Sequence, residues 1–227
     1  MKRIFIIMVS LCLPLFLGAQ EKYQPTSVWP YLYSDFTEGE LQMIGGAPQK
    51  GIYNIHLSEG RLHFIEDGMI REASFSEVFS VRIGKDYFAN VGGSMMKVLA
   101  QSDQGMVVEK SVVDLVALNS SGGAYGSSSS TQATMSLSSM EGVGGTRTNM
   151  NHMELRNSRD EGQLLPLTVH LYLLIDGVLI PATKKEVADS GRATKEELKV
   201  FYKENKIRWK DPQSLLLLVG LLGNDVK

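Results

Sequence analysis

The sequence predicts an α+β protein: an antiparallel β-meander sheet, interrupted by a long Ser/Gly-rich insert and completed by a short C-terminal helical segment. Three observations predict it. Short apolar-rich runs alternate with turn residues from Glu40 to about Leu115, Gly, Ser, Thr and Asn dominate residues 118–162, and the last 45 residues carry the punctuation of helices.

The runs "GELQMIG", "KGIYNIHL", "GRLHFIEDG", "MIREASF", "VFSVRIG", "DYFANVGG", "SMMKVLAQSDQG" and "MVVEKSVVDLV" are divided by Glu-Gly, Asp-Gly, Gly-Lys-Asp and Gln-Gly. Strands of this length separated by such turns pair as successive hairpins. Gly92-Gly93 turns one of them, between "DYFANV" and "MMKVLA". A second can be read in register. With Glu59-Gly60 as a two-residue turn, Leu57 faces Leu62 and Ile55 faces Phe64 on an apolar face, while His56 faces His63 on the other, a half-solvated polar face. Two opposed imidazoles make His56 and His63 the weak candidates for a metal site, although the sequence names no third ligand for them.

Connections in compact domains rarely exceed about 12–15 residues, so residues 118–162 read as a flexible insert. Ala133, Met135 and Leu137 alternate with polar neighbours, a strand signal that would dock the middle of the insert on the sheet. The hydroxyl-rich Ser127 to Ser130 does not form a nucleophile elbow, because "GAYGSSSS" lacks the G-x-S-x-G pattern between a strand and a helix. His152 and His170 are conceivable partners, but no spacing fixes a triad. "VGGSMM" and "GVGGT" lack the lysine and following helix of a phosphate cradle. Adjacent carboxylates such as Asp160 and Glu161 do not share a face. No catalytic or cofactor-binding residue is assigned.

Order returns with "LPLTVHLYLLIDGVLIPATKKE". Leu167, Val169, Leu171 and Leu173 alternate with Thr168, His170, Tyr172 and Leu174, and Asp176-Gly177 is a strong hairpin turn into Val178 to Ile180. This hairpin should complete the earlier sheet. Thr183 with Glu186, and Thr194 with Glu197, fit capping boxes at two helix starts; Gly191 ends the first helix. Asp211 followed by Pro212 opens a third helix and Gly223 closes it. Leu198, Phe201 and Tyr202 give the second helix an apolar face.

The N-terminus "MKRIFIIMVSLCLPLFLGAQEKY" has the layout of a secretory signal peptide over residues 1–19, with cleavage after Ala19 or Gln20. The single cysteine, Cys12, lies inside that apolar run behind Leu11, not the small residue a lipoprotein signal wants. The mature chain is therefore expected to lack thiol, disulfide and lipid. Without Lys2 and Arg3, 21 basic residues face 25 acidic ones, a net charge of −4 that gives no nucleic-acid footprint. The longest later apolar stretch, "LLLLVGLL", is far short of the ~20 residues of a membrane-spanning helix. The expected organisation is a signal peptide (1–19), a sheet region (20–117), the insert (118–162), and a hairpin with helices (163–227) that forms one domain with 20–117.

"YLYSDFTEGELQM", "YNIHLSEGRLHFI", "VFSVRIGKDYFANVGGSMMKVLAQSDQG" and "KEELKVFYKENKIRWKDPQSLLLLV" together resemble a family of uncharacterised secreted proteins of Bacteroidota. In that pattern a Tyr-Asn hairpin and an "F…G…KVL" segment precede a C-terminal "K…IKxFIKENKIKFK" helix-and-turn signature. The resemblance covers most of the chain outside the insert. It implies an exported protein, periplasmic or associated with the outer membrane, and carries over no functional residue. The expected function is a secreted cell-envelope protein acting as a non-enzymatic binding or accessory module whose partner is another envelope protein. The alternative is a hydrolase with Ser, His and carboxylates assembled across the sheet and the insert.

Overall fold

The computed structural model describes residues 31–57, 59–114, 150–151 and 166–223. The expected signal peptide with Cys12, the Ala133 to Leu137 strand, Ser127 to Ser130, His152, and all but two residues of the 118–162 insert lie outside the described residues. Strands β1 (Thr37–Met43), β2 (Gln49–His56), β3 (Arg61–Glu66), β4 (Met69–Glu72), β5 (Val78–Ile83), β6 (Asp86–Val91), β7 (Ser94–Ser102), β8 (Gly105–Val113), β9 (Met150–Asn151), β10 (Leu167–Ile175) and β11 (Val178–Pro181) form one antiparallel sheet. Their order across it is β11-β10-β8-β7-β6-β5-β1-β2-β3-β4-β9.

Local turn chemistry fixes most of this order. Asp67-Gly68, Gly92-Gly93 and Asp176-Gly177 join their strands as two-residue turns with positive φ at both positions, the twist that matches a hairpin. The β10–β11 hairpin joins the sheet by pairing with β8 along Leu167 to Leu174, as expected. Two placements depart from a simple meander. β1 sits in the middle, bonded to β2 on one side and β5 on the other, and β9, a piece of the insert, pairs with β4.

Gly39 and Gly51 stand opposite one another on β1 and β2. A Cβ on Gly39 would overlap the Arg82 carbonyl oxygen, and one on Gly51 would lie 2.8 Å from the Tyr53 hydroxyl. The pair thus leaves room for the Tyr53 ring against bare backbone, a device that lets a sheet bend sharply. The sheet curls far enough for Met95 of β7 to donate its N–H to the Gly60 carbonyl at 2.7 Å, and for the Ser94 hydroxyl to donate to that of Glu59 at 2.9 Å. Strands β7, β6, β5, β1, β2 and β3 wrap in this way around Leu41, Tyr53, Ile55, Leu62, Val81, Phe88 and Met95. Gly39→Ala is expected to lose about 1–3 kcal/mol, the usual range for overpacking. Chemical denaturation checks it: a loss below about 0.5 kcal/mol would show that the Arg82 backbone moves aside easily.

The second apolar cluster lies under the helices. α1 (Lys184–Asp189), α2 (Lys195–Asn205) and α3 (Pro212–Gly223) cover β7, β8, β10 and β11, burying Val107, Leu173 and Ile175 against Val187, Leu198, Leu215 and Leu218. Thr194 and Glu197 form the complete capping box of α2, whereas Thr183 of α1 accepts from the Glu186 amide alone. Gly191 follows α1 at φ +71°, and Asp211 caps α3 by accepting from the Gln213 amide at 3.1 Å. The Leu-rich α3 therefore lines its own core. Among the described residues no helix is long and apolar enough to cross a membrane.

Candidate functional site

The expected histidine pair exists, in a different register and a different environment. β2 and β3 pair as Tyr53↔Phe64, Asn54↔His63, Ile55↔Leu62 and His56↔Arg61, two residues away from the register that a two-residue Glu59-Gly60 turn would impose. Such a turn needs positive φ at both positions, which a glutamate resists. Instead His56 pairs directly with Arg61, and Gly60, at φ +73°, donates to the His56 carbonyl at 2.9 Å. A shift of two keeps every side chain on its face. His56 and His63 thus remain neighbours, now diagonal, with rings stacked at 5.2 Å and 20°.

The face they occupy is buried, not half-solvated: His56 is 3 % exposed and His63 7 %. Residues 31–36 run past the end of β1 alongside β2 as a strap, and Tyr31, wholly buried, sets its ring edge-on to both imidazoles. The Tyr31 hydroxyl lies 2.8 Å from His63 Nδ1, and Glu72 Oε2 lies 3.6 Å from His63 Nε2. Glu72 favours the tautomer protonated at Nε2, which leaves Nδ1 to accept from Tyr31. His56 Nε2 is buried without a hydrogen-bond partner. Burial, with His63 beside it, pushes the His56 pKa down to about 3, against a smaller opposing pull from Glu72. Hydrogen bonding from His63 holds Glu72 below the usual carboxylate range. Stacked rings do not converge their nitrogens on one point, and among the described residues no group of three His, Cys, Asp or Glu is placed to hold a metal ion.

Asn54 holds the strap. Its Oδ1 accepts from the amides of Tyr33 (3.1 Å) and Ile55 (2.9 Å), and its Nδ2 donates to the carbonyls of Tyr33 (2.9 Å) and Asp35 (3.2 Å). That is the full capacity of the amide.

A charged row escaped the sequence reading. The pairings Phe88↔Lys97, Lys97↔Glu109 and Glu109↔Leu171 place Lys97 and Glu109 on the concave face, between the two apolar clusters. Lys97 meets Asp86 at 2.9 Å, and Asp86 also accepts from the Tyr33 hydroxyl at 2.7 Å. Desolvation would raise the Asp86 pKa, but these two contacts keep it below the usual range. Burial pushes Glu109 up despite Lys97. The only signal was an ionisable residue at an inward position of two apolar alternations, "SMMKVLA" and "MVVEKSVV". His170 of β10 is exposed, its ring 6.5 Å from that of Tyr172.

The accessible feature is on the convex face. A shallow groove of about 540 Å³ crosses β2, β1 and β5, lined by Glu38, Glu40, Lys50, Ile52 and Arg82. A second, of about 450 Å³, shares Arg82 and continues over Tyr87, Val98, Leu99 and Gln101. The Arg82 guanidinium stands 5.7 Å from the centre of the Tyr87 ring. No family model, no curated protein and no solved structure matches the chain.

Proposed function

We propose that this is a secreted cell-envelope protein that acts as a non-enzymatic binding or accessory module, holding another envelope protein on the convex face of its sheet. The observation that carries this reading is the pair of grooves meeting at Arg82. Carboxylates and cations alternate there with Ile52, 41 % exposed, and with Tyr87. Mixed charge around apolar and aromatic anchors suits a protein surface better than a polyanion, which would call for one sign. The hydrolase alternative draws less support from the described residues, since His56 and His63 are sealed beneath Tyr31.

A photo-crosslinking residue at position 52, used in intact cells of the native host, tests this. One discrete adduct is expected, and it should disappear when Lys50→Glu and Arg82→Glu are introduced together. No adduct, or the same adduct from the charge-reversed protein, would overturn the assignment of this face.

A further inference from the structure

Independently of that reading, we infer that the strap of residues 31–36 is an acid-sensitive latch, released from the sheet when the buried His56, stacked on His63, takes up a proton. The seat of the latch is built from imidazoles that have no room for charge. His56 Nε2 has no partner, the neighbouring ring is another histidine stacked 5.2 Å away, and Tyr31 closes the site edge-on. A proton on His56 would be a buried, uncompensated cation.

The other groups on this face are few. β2 contributes Asn54, whose amide makes three of its four bonds to the strap; β3 contributes Arg61, a cation whose guanidinium is occupied by Glu59 and by the Phe75 ring; β4 contributes Glu72. Glu72 is the only anion against the pair among the described side chains, and it is placed on His63, not on His56. Swinging the strap away exposes both imidazoles to water while leaving the pairing of β2 with β1 and β3 intact, because the strap meets β2 beyond the end of β1, at the Tyr31↔His56 bridge, with the Leu32 N–H on Ile55 O at 2.8 Å, and through Asn54.

The sign follows from the protons bound. With the His56 pKa at about 3 in the closed state and near 6.5 when exposed, the closed state binds fewer protons. Its advantage is complete above pH 6.5 and falls as the pH drops towards 3.

Amide hydrogen exchange, corrected for intrinsic rates, reads the latch. The Leu32 amide should lose protection by about tenfold per pH unit below pH 6, the slope for uptake of one proton, while Val81 and Phe88 in the curled sheet keep theirs. In His56→Gln the slope should flatten. Glu72→Gln removes the anion that eases protonation in the closed state, so the fall should continue to lower pH while its onset, set by the exposed imidazole, stays where it was. Loss of protection at Leu32 and Phe88 together, or an unchanged slope in His56→Gln, would overturn the latch. Should His56→Gln not fold, a Leu32 amide that keeps its full protection from about pH 6 down to about pH 4 in the unaltered protein overturns it.

Discussion

Leu218→Ala is expected to lower stability by about 2–5 kcal/mol, among the largest effects of any single truncation in this chain. Leu218 is 0 % exposed, in the middle of α3, and packs with Leu215, Val219 and Leu222 against Leu173 and Ile175 of the sheet. Removing its isobutyl group loses transfer energy and leaves a cavity between a helix and a sheet, two surfaces that cannot collapse onto each other without moving many neighbours. For a domain of this size the melting temperature should fall by roughly 4–20 °C. Leu217, its chain neighbour, is 48 % exposed, and Leu217→Ala should stay within about 1 kcal/mol. Thermal denaturation of the two variants side by side checks both statements. Equal losses would mean that α3 does not present the face described.

Asn54→Ala should cost roughly 3–4 kcal/mol, more than its small size suggests. The side chain makes four hydrogen bonds from a fully buried position, with the amides of Tyr33 and Ile55 and the carbonyls of Tyr33 and Asp35, and its removal loses all four. Each lost hydrogen bond costs about 0.5–1.5 kcal/mol, softened where the strap can lift and find water. Lifting also withdraws the Tyr33 hydroxyl from Asp86. Urea unfolding together with limited proteolysis near residue 33 should report both losses. A variant less than about 1 kcal/mol weaker, with an uncut strap, would show that Asn54 does not hold it.

The contrast between Gly92-Gly93 and Glu59-Gly60 shows where the sequence could be read. Gly92-Gly93, Asp67-Gly68 and Asp176-Gly177 need nothing beyond their own φ preferences, so their hairpins were legible. The Glu59-Gly60 loop is shaped by β7 of the curled sheet, through Met95 N–H and Ser94 Oγ, and no local pattern reports a contact 35 residues away. The histidines were legible as a pair because faces survive a shift of two. Their burial was not, because it depends on Tyr31 folding over from a segment with no periodicity of its own. The caps at Thr194 and Asp211 announced α2 and α3. Lys206, which ends α2 at φ +48°, occupies a conformation that favours glycine or asparagine, so nothing marked it. The row of Asp86, Lys97 and Glu109 had to await the strand order, since its members lie on three strands.

The central place of β1 has a consequence for how the chain assembles. β2 to β4, and β5 to β8, are each strings of neighbouring hairpins that can form locally, in microseconds for an isolated pair. The β1–β5 ladder is different, for it pairs Leu41 with Val81 and closes about 40 residues of chain. It is also the seam across which Leu41, Tyr53 and Ile55 meet Val81, Phe88 and Met95. Loop-closure entropy grows only by about 0.6 kcal/mol for each doubling of length, so the seam takes little from the finished stability. Its burden falls on the search: two prefabricated halves must find one register along a single strand before either can bury the apolar face that joins them.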